Sequence, residues 1–259
     1  MMVEFNLSLA EKYESNTQRA RVLTEDWVGK NMYCPCCGGS VLVHLPNNSP
    51  VADFACPVCN AEFELKSKNG KLGKKVNDGA YNKLIEGINS DNNPNFFFMG
   101  YSRETWSIQE LIVVPRHFFT PEIIEKRKPL SRAAHRAGWT GCNIKLELIP
   151  RQGRIIVING GRLREPRDVV EEFRKSENLY VNDLSVRGWL LDILTCVNSI
   201  KTEEFVLEDV YRFSDWLYKK HPDNNNIKAK IRQQLQMLRD KGYIEFLGKG
   251  KYRRTKRCG

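Results

Sequence analysis

The sequence predicts a mixed α/β (α+β) fold in two parts: a sheet-bearing core with an embedded metal knuckle over residues 1–182, and an α+β helix-turn-helix module over residues 183–259. Three observations carry this. Two Cys-x-x-Cys pairs stand close together near the N-terminus. Strand-like and helix-like apolar patterns alternate through the first two thirds of the chain. Three helical patterns and a basic hairpin close it.

Taken in order, residues 8–29 carry Leu9, Tyr13, Ala20, Leu23 and Trp27 at roughly helical spacing, which predicts a first helix. From Val51 to Ser67 the period changes to two. Val51 and Asp53 share one strand face, and farther on Phe63 and Leu65 lie opposite Glu62, Glu64 and Lys66, so the segment folds as a hairpin whose turn holds Cys56 and Cys59. Asp78 is placed to cap a helix reaching about Asn89, and NFFFMGY after Pro94 reads as a buried central strand. SIQELIVVP is another strand. Thr120 followed by Pro121 starts a short helix toward Lys128, and RIIVING from Arg154 adds one more strand.

The polar stretch from Glu177 to Ser185 marks the boundary. Beyond it, Trp189, Leu190, Ile193, Leu194 and Val197 fit one helix, and Leu207, Val210, Tyr211, Phe213, Ser214 and Leu217 fit a second. A third buries Ile227, Ile231, Leu235 and Leu238 and is stopped by Gly242. YIEF, the turn LGKG and KYRR then form a hairpin. Three helices and a basic hairpin in this order make a winged helix-turn-helix.

The chain carries 41 Lys and Arg against 31 Asp and Glu, a formal charge of +10. Such an excess points to a polyanion, nucleic acid first. No run approaches the roughly 18 apolar residues of a membrane span. The opening MMVEFNLSLAEKYE has neither the basic start nor the apolar centre of an export signal. The expectation is a cytoplasmic protein that meets double-stranded DNA, with no membrane partner and no obligatory protein partner.

Of eight cysteines, five crowd between Cys34 and Cys59, while Cys142, Cys196 and Cys258 stand alone. Clustering of this kind argues for metal rather than disulfides. Cys34-x2-Cys37 and Cys56-x2-Cys59 are 18 residues apart, inside zinc-ribbon spacing. Two thiolates from each tight turn close a tetrahedral structural zinc site, and Gly38 permits the bend after the first pair. Cys36 is adjacent to Cys37 and makes a poor chelating partner of it, so it stays outside the set. Because the second pair forms the hairpin turn, the zinc should also fix the register of the two strands around it.

Those strands bring carboxylates together. Glu64 and Lys66 share a strand face, and the hairpin folds Asp53 against them. Asp53 and Glu64 offer oxygen ligands for Mg²⁺, which neutralises charge developing on a phosphate and acidifies an attacking water. Lys66 can orient or help deprotonate that water and stabilise the charged transition state. Glu62 shares the face and is the rival ligand; the Glu-x-Lys spacing favours Glu64. Asp53, ten residues, Glu64, one residue, Lys66 is the arrangement of the PD-(D/E)XK nucleases.

With these residues placed, the chain resembles the DpnI-type methyl-directed (type IIM) restriction endonucleases of the PD-(D/E)XK superfamily, from end to end. The carriers are LTEDWV from Leu23, the paired cysteines, PVADF ending at Phe54, EFELKSK from Glu62, NDGAY from Asn77, DNNPNFFF from Asp91, RAGWTGCNI from Arg136 and IRQQLQMLRDK from Ile231. The resemblance implies a PD-(D/E)XK nuclease core with a zinc knuckle, followed by a winged helix that also reads DNA. It implies Mg²⁺-dependent double-strand cleavage within GATC whose adenine is methylated, leaving blunt ends. Asp53, Glu64 and Lys66 keep the family's identities; Cys36 and the tail TKRCG depart from it without touching them.

Reading a methylated adenine requires an apolar wall beside a hydrogen-bond acceptor. Trp139 is the candidate wall, with Arg132 and Arg136 placed to hold phosphates. Burying one methyl contributes only about 0.8 kcal/mol, less than tenfold in affinity, so two reading domains are expected to share the selection. In the winged helix, Lys228, Lys230, Arg232, Gln233 and Arg239 lie off the apolar stripe, and Lys249, Lys251, Arg253 and Arg254 decorate the wing; such charges usually bind phosphate. A noncatalytic zinc-ribbon and winged-helix regulator would explain the charge and the cysteines. It leaves Asp53, Glu64 and Lys66 unexplained.

Overall fold

A computed structural model describes residues 3–46 and 52–256. Val51, Arg257 and Cys258 lie outside the described residues.

The helix expected over residues 8–29 starts later. Leu7–Ala10 make a single 3-10 turn, and α1 runs over Asn16–Asn31 with Ser15 in the extended N-cap conformation. Ser and Asn favour helix starts over helix interiors, so the periodic pattern continues across a break. Then come β1 (Val43–His44), β2 (Phe54–Ala55), β3 (Glu62–Asn69), β4 (Val76–Ala80), α2 (Tyr81–Asn89), β5 (Asn95–Ser102) and β6 (Ser107–Val114). After them run β7 (Ile124–Lys126), β8 (Gly141–Ile144), β9 (Ile155–Asn159), β10 (Arg162–Leu163) and α3 (Pro166–Glu177).

Asp78, expected to cap α2, is a strand residue of β4; the N-cap is Ala80, whose side chain has nothing to accept with. The helix expected after Thr120 is one 3-10 turn, Pro121–Ile123, that passes into β7. Ile123 and Ile124 are both buried there, and a β-branched doublet packs better on a pleated strand.

Seven strands form one sheet in the order β1-β2-β3-β5-β6-β9-β10, in which β3 and β5 run parallel with Glu64 opposite Phe96 and Lys66 opposite Phe98. Phe63, Phe97, Met99, Leu111 and Val113 pack on one face against Leu23, Trp27 and Val28 of α1 and Val169 and Phe173 of α3. Phe96 and Phe98 belong to the other face. That face is covered by α2, by a three-stranded sheet in the order β4-β8-β7, and by the C-terminal helices.

Those helices are α4 (Leu184–Ser199), α5 (Leu207–Tyr211), α6 (Ser214–Lys220) and α7 (Ile227–Asp240). The strand β11 (Glu204–Val206) lies between α4 and α5, and β12 (Ile244–Gly248) and β13 (Lys251–Arg254) follow α7, the three paired in the order β11-β13-β12. This is the winged-helix arrangement. The expected second helix is split at Arg212 and Phe213, where the Phe213 amide bonds to the Val210 carbonyl in a 3-10 turn and Ser214 Oγ donates to the Tyr211 carbonyl. The strand β11 has no counterpart in the sequence reading.

The two regions share an apolar cluster and a buried polar latch. Arg187 of α4 is 1% exposed and pairs with Asp91 at 3.0 Å. Asp91 also pairs with Arg116 at 3.2 Å and accepts from Tyr180 Oη at 2.9 Å. Gln152 and Asn198 exchange side-chain amide hydrogen bonds across the same junction.

Candidate active site and metal centre

The cysteines form two copies of one turn. In the first, the Gly38 amide donates to the Cys34 carbonyl and the Cys34 amide to the Gly39 carbonyl; in the second, Asn60 donates to Cys56 and Cys56 to Ala61. Each turn ends on a left-handed residue, Gly38 at φ 84° and Asn60 at φ 58°. Gly and Asn tolerate that conformation best. The four thiols of Cys34, Cys37, Cys56 and Cys59 lie within 4.8 Å of one another, with Sγ–Sγ separations of 3.6 Å for Cys34–Cys59 and for Cys37–Cys56. A tetrahedral zinc with Zn–S bonds of about 2.3 Å places its sulfurs about 3.8 Å apart, so the set fits zinc. The amides of Gly39 and Val58 donate to the sulfurs of Cys37 and Cys56, which orients the thiolates. Cys36 stands outside the cluster.

The second turn joins β2 to β3, as the spacing requires. Asp53 sits just before β2; its amide bonds to the Phe63 carbonyl at 3.0 Å, and its Oδ2 accepts the Leu65 amide at 2.8 Å. The carboxylate is thus clipped to the backbone between Glu64 and Lys66. Glu62 is exposed at the start of β3, whereas Glu64 and Lys66 are half-buried and paired through Nζ and Oε1. Burial foremost pushes the Glu64 carboxyl up to about 7, with the charges of Asp78 and Asp53 adding to it against the pull of Lys66. Burial works against the charge of Lys66, but Glu64 and Asp78 overcome it and hold the ammonium above the ordinary lysine range.

Asp78 was missed as a site residue. It reaches Lys66 Nζ at 2.5 Å from β4, and its side chain is 5% exposed. The signals in the sequence were the two-residue step from buried Val76 and the segment NDGAY, itself one of the carriers of the resemblance.

Trp139 lies in the exposed segment between β7 and β8, two residues before β8, which pairs with β4 through Ala80–Gly141 and Asp78–Cys142. The indole is half-buried, and a Cβ at Gly141 would lie 2.9 Å from it, so glycine there makes room for the ring. Arg136 stacks its guanidinium 5.0 Å from the ring centre; Arg132 and Arg136 are both exposed.

In α7, Lys228, Arg232, Gln233 and Arg239 are exposed and Lys230 is half-buried. Arg232 donates to Tyr211 Oη at 2.8 Å. On the wing, Lys249 at φ 49° stands between two left-handed glycines, Gly248 and Gly250, and Lys251 is exposed beside it. Arg253 is engaged by Glu204 at 2.6 Å, and Arg254 donates to the Val197 and Thr202 carbonyls. These two guanidiniums hold the wing to the module.

A four-cysteine cluster that fits zinc, beside a group of partly buried carboxylates and joined to a helix-turn-helix, defines a DNA-acting protein. The profile of DpnI, the Dam-replacing family, matches residues 1–182, and that of the Dam-replacing HTH domain matches residues 185–254. The chain belongs to the DpnI family and is, by that membership, a methylation-dependent restriction endonuclease. No helix among the described residues is long and apolar enough to cross a membrane.

Proposed function

We propose that this protein is a PD-(D/E)XK endonuclease that makes Mg²⁺-dependent double-strand cuts within GATC carrying methylated adenine, leaving blunt ends. The observation that carries this is the convergence of Asp53, Glu64 and Lys66 on the hairpin stapled by the four cysteines. Asp53 and Glu64 would hold the Mg²⁺, which supplies charge neutralisation at the phosphate and an acidified water. Asp53 arrives pre-aimed, because the Leu65 amide fixes one of its oxygens. Glu64 would have to give up its proton to serve as a ligand. Lys66, kept charged by its neighbours, orients the attacking water and stabilises negative charge on the pentacovalent phosphate.

Residues 1–182 form the cutting domain in this reading and residues 183–259 a second DNA-reading domain in a cytoplasmic enzyme. Trp139 supplies the apolar wall for the adenine methyl, with Arg132 and Arg136 on phosphates. Its half-exposed ring beside the strand that carries Asp78 supports that role. Lys228, Lys230, Arg232, Gln233, Lys249 and Lys251 supply contacts from the winged helix, while Arg253 and Arg254 set the wing's position.

Digestion of methylated, hemimethylated and unmethylated GATC duplexes with Mg²⁺ tests this. Cutting of the methylated duplex is expected, and Asp53→Ala should abolish cutting while keeping binding. Binding without cleavage across salt and Mg²⁺ conditions would instead favour a noncatalytic zinc-ribbon and winged-helix regulator.

A further inference from the structure

The pairing around Lys66 contains one carboxylate that the hydrolytic reading does not use. Lys66 Nζ is held from two sides, by Glu64 from its own strand and by Asp78 from the neighbouring sheet. Asp78 is the more buried of the two partners, at 5% against 25% exposure. Its position is built. Asp78 pairs in register with Cys142, whose Sγ lies 3.8 Å from the other carboxylate oxygen, and the ladder shifts by one residue between Asp78 and Ala80. Among the described residues, the carboxylates of Asp53, Glu64 and Asp78 do not gather as closely as the four thiols do.

The two partners of Lys66 differ in what DNA cleavage asks of them. Once Glu64 turns its oxygens to a cation, the ammonium loses that partner, and a flexible four-carbon arm is free to swing unless something else holds it. Resting on the nuclease reading above, we propose that Asp78 is a positioning residue that holds the Lys66 ammonium toward the scissile phosphate while Glu64 is engaged with the metal. Asp78 then acts through Lys66 and touches neither DNA nor Mg²⁺.

The test is single-turnover cleavage of a methylated GATC duplex by the full-length zinc-loaded protein, read against Mg²⁺ concentration and beside a DNA-binding isotherm. Asp78→Asn should lower the maximal rate on the order of 100-fold, as a misplacement of about 1 Å does. DNA affinity and half-saturating Mg²⁺ should stay unchanged. In a Lys66→Ala background the same substitution should change the rate less than about twofold, the mark of residues that act as a unit. Asp78→Glu keeps the charge on a longer arm and should recover at least part of the rate with half-saturating Mg²⁺ unchanged; if Asp78→Asn loses its thermal transition, Asp78→Glu alone decides, and a tenfold rise in its half-saturating Mg²⁺ overturns the proposal. Additive loss in the Lys66→Ala background, or a tenfold rise in half-saturating Mg²⁺, overturns it in favour of a third metal ligand. A wild-type protein that fails to cut at all sinks the nuclease reading itself, whereas wild-type cutting with an unimpaired Asp78→Asn sinks only this inference.

Discussion

In the winged helix, Leu190, Ile193, Leu194 and Val197 of α4 meet Ile231, Leu235 and Leu238 of α7, all fully buried. In the knuckle, β1 and β2 are two residues long, Val58 is 71% exposed and Val41 and Val43 are about half exposed. One region is held by apolar packing along whole helices, while the other anchors Leu42 and Phe54 in the core and gathers four thiols in a set that fits zinc. Apolar packing tolerates small adjustments and leaves the charged faces of α7 and the wing free to adapt to a phosphate backbone. A metal cluster fixes a short turn to within tenths of an ångström, which suits a site where Asp53, Glu64 and Lys66 must meet across adjacent strands.

Cys37→Ser or exhaustive chelation should separate the regions most sharply. Bound zinc should fall from one ion per chain to none by native mass spectrometry, with cutting abolished and the isolated transition of the winged helix kept, since metal binding is folding free energy in so small a unit. Leu235→Ala should do the reverse: a loss of about 2–5 kcal/mol measured by urea unfolding, with zinc retained. If both variants unfold the whole chain in one step, the regions are one cooperative body.

Asp91→Asn probes what joins them. It keeps an oxygen acceptor for Arg187 but removes the charge that this buried guanidinium is paired with, and calorimetry should show a loss of about 3 kcal/mol and a broader transition.

A smaller effect follows from Glu64, whose carboxyl is pushed up by burial foremost to about 7 from an ordinary 4.5. The folded state binds that proton more tightly than the unfolded chain, so its stabilisation is fully present below about 4.5 and is lost as pH rises through 7. A cation needs the carboxylate, so Mg²⁺ affinity should climb by up to roughly tenfold per pH unit toward 7 and level off above it. Calorimetric titration in two buffers of different ionisation heat should find proton release on binding below pH 7 and little above.

Lys249→Ala should act least. Affinity should fall severalfold for methylated and unmethylated duplexes alike, and the slope of log affinity against log salt should drop by about one.

Much of this was legible in the residues. Cysteine spacing located the knuckle because chelation geometry is local, and period-two alternation placed Glu64 with Lys66 because strand pleating is local too. The residues named for the stripe of α4 are all buried, and the start of α7 was read to within a residue. Local pattern failed where a neighbour from elsewhere in the chain decided the outcome. Asp78 before a helical run reads as a cap, but β8 pairs with residues 76–80 and draws them into a strand. Thr120–Pro121 reads as a helix start, but β8 also claims Ile124–Lys126. The split of the second C-terminal helix and the short strand β11 likewise follow from packing and from pairing with β13.

The sequence by itself marked the four cysteines that cluster, the strand that pairs Glu64 with Lys66, the charge that calls for a polyanion and the helix order of the C-terminal module, because each is written in spacing along the chain. Only the tertiary structure decided that Asp78 completes the surroundings of Lys66, that Trp139 stands half-exposed over Gly141, and that Asp91 ties the winged helix to the core. Those depend on which distant strands and helices lie side by side, and burial of apolar faces sets that choice for the whole chain at once.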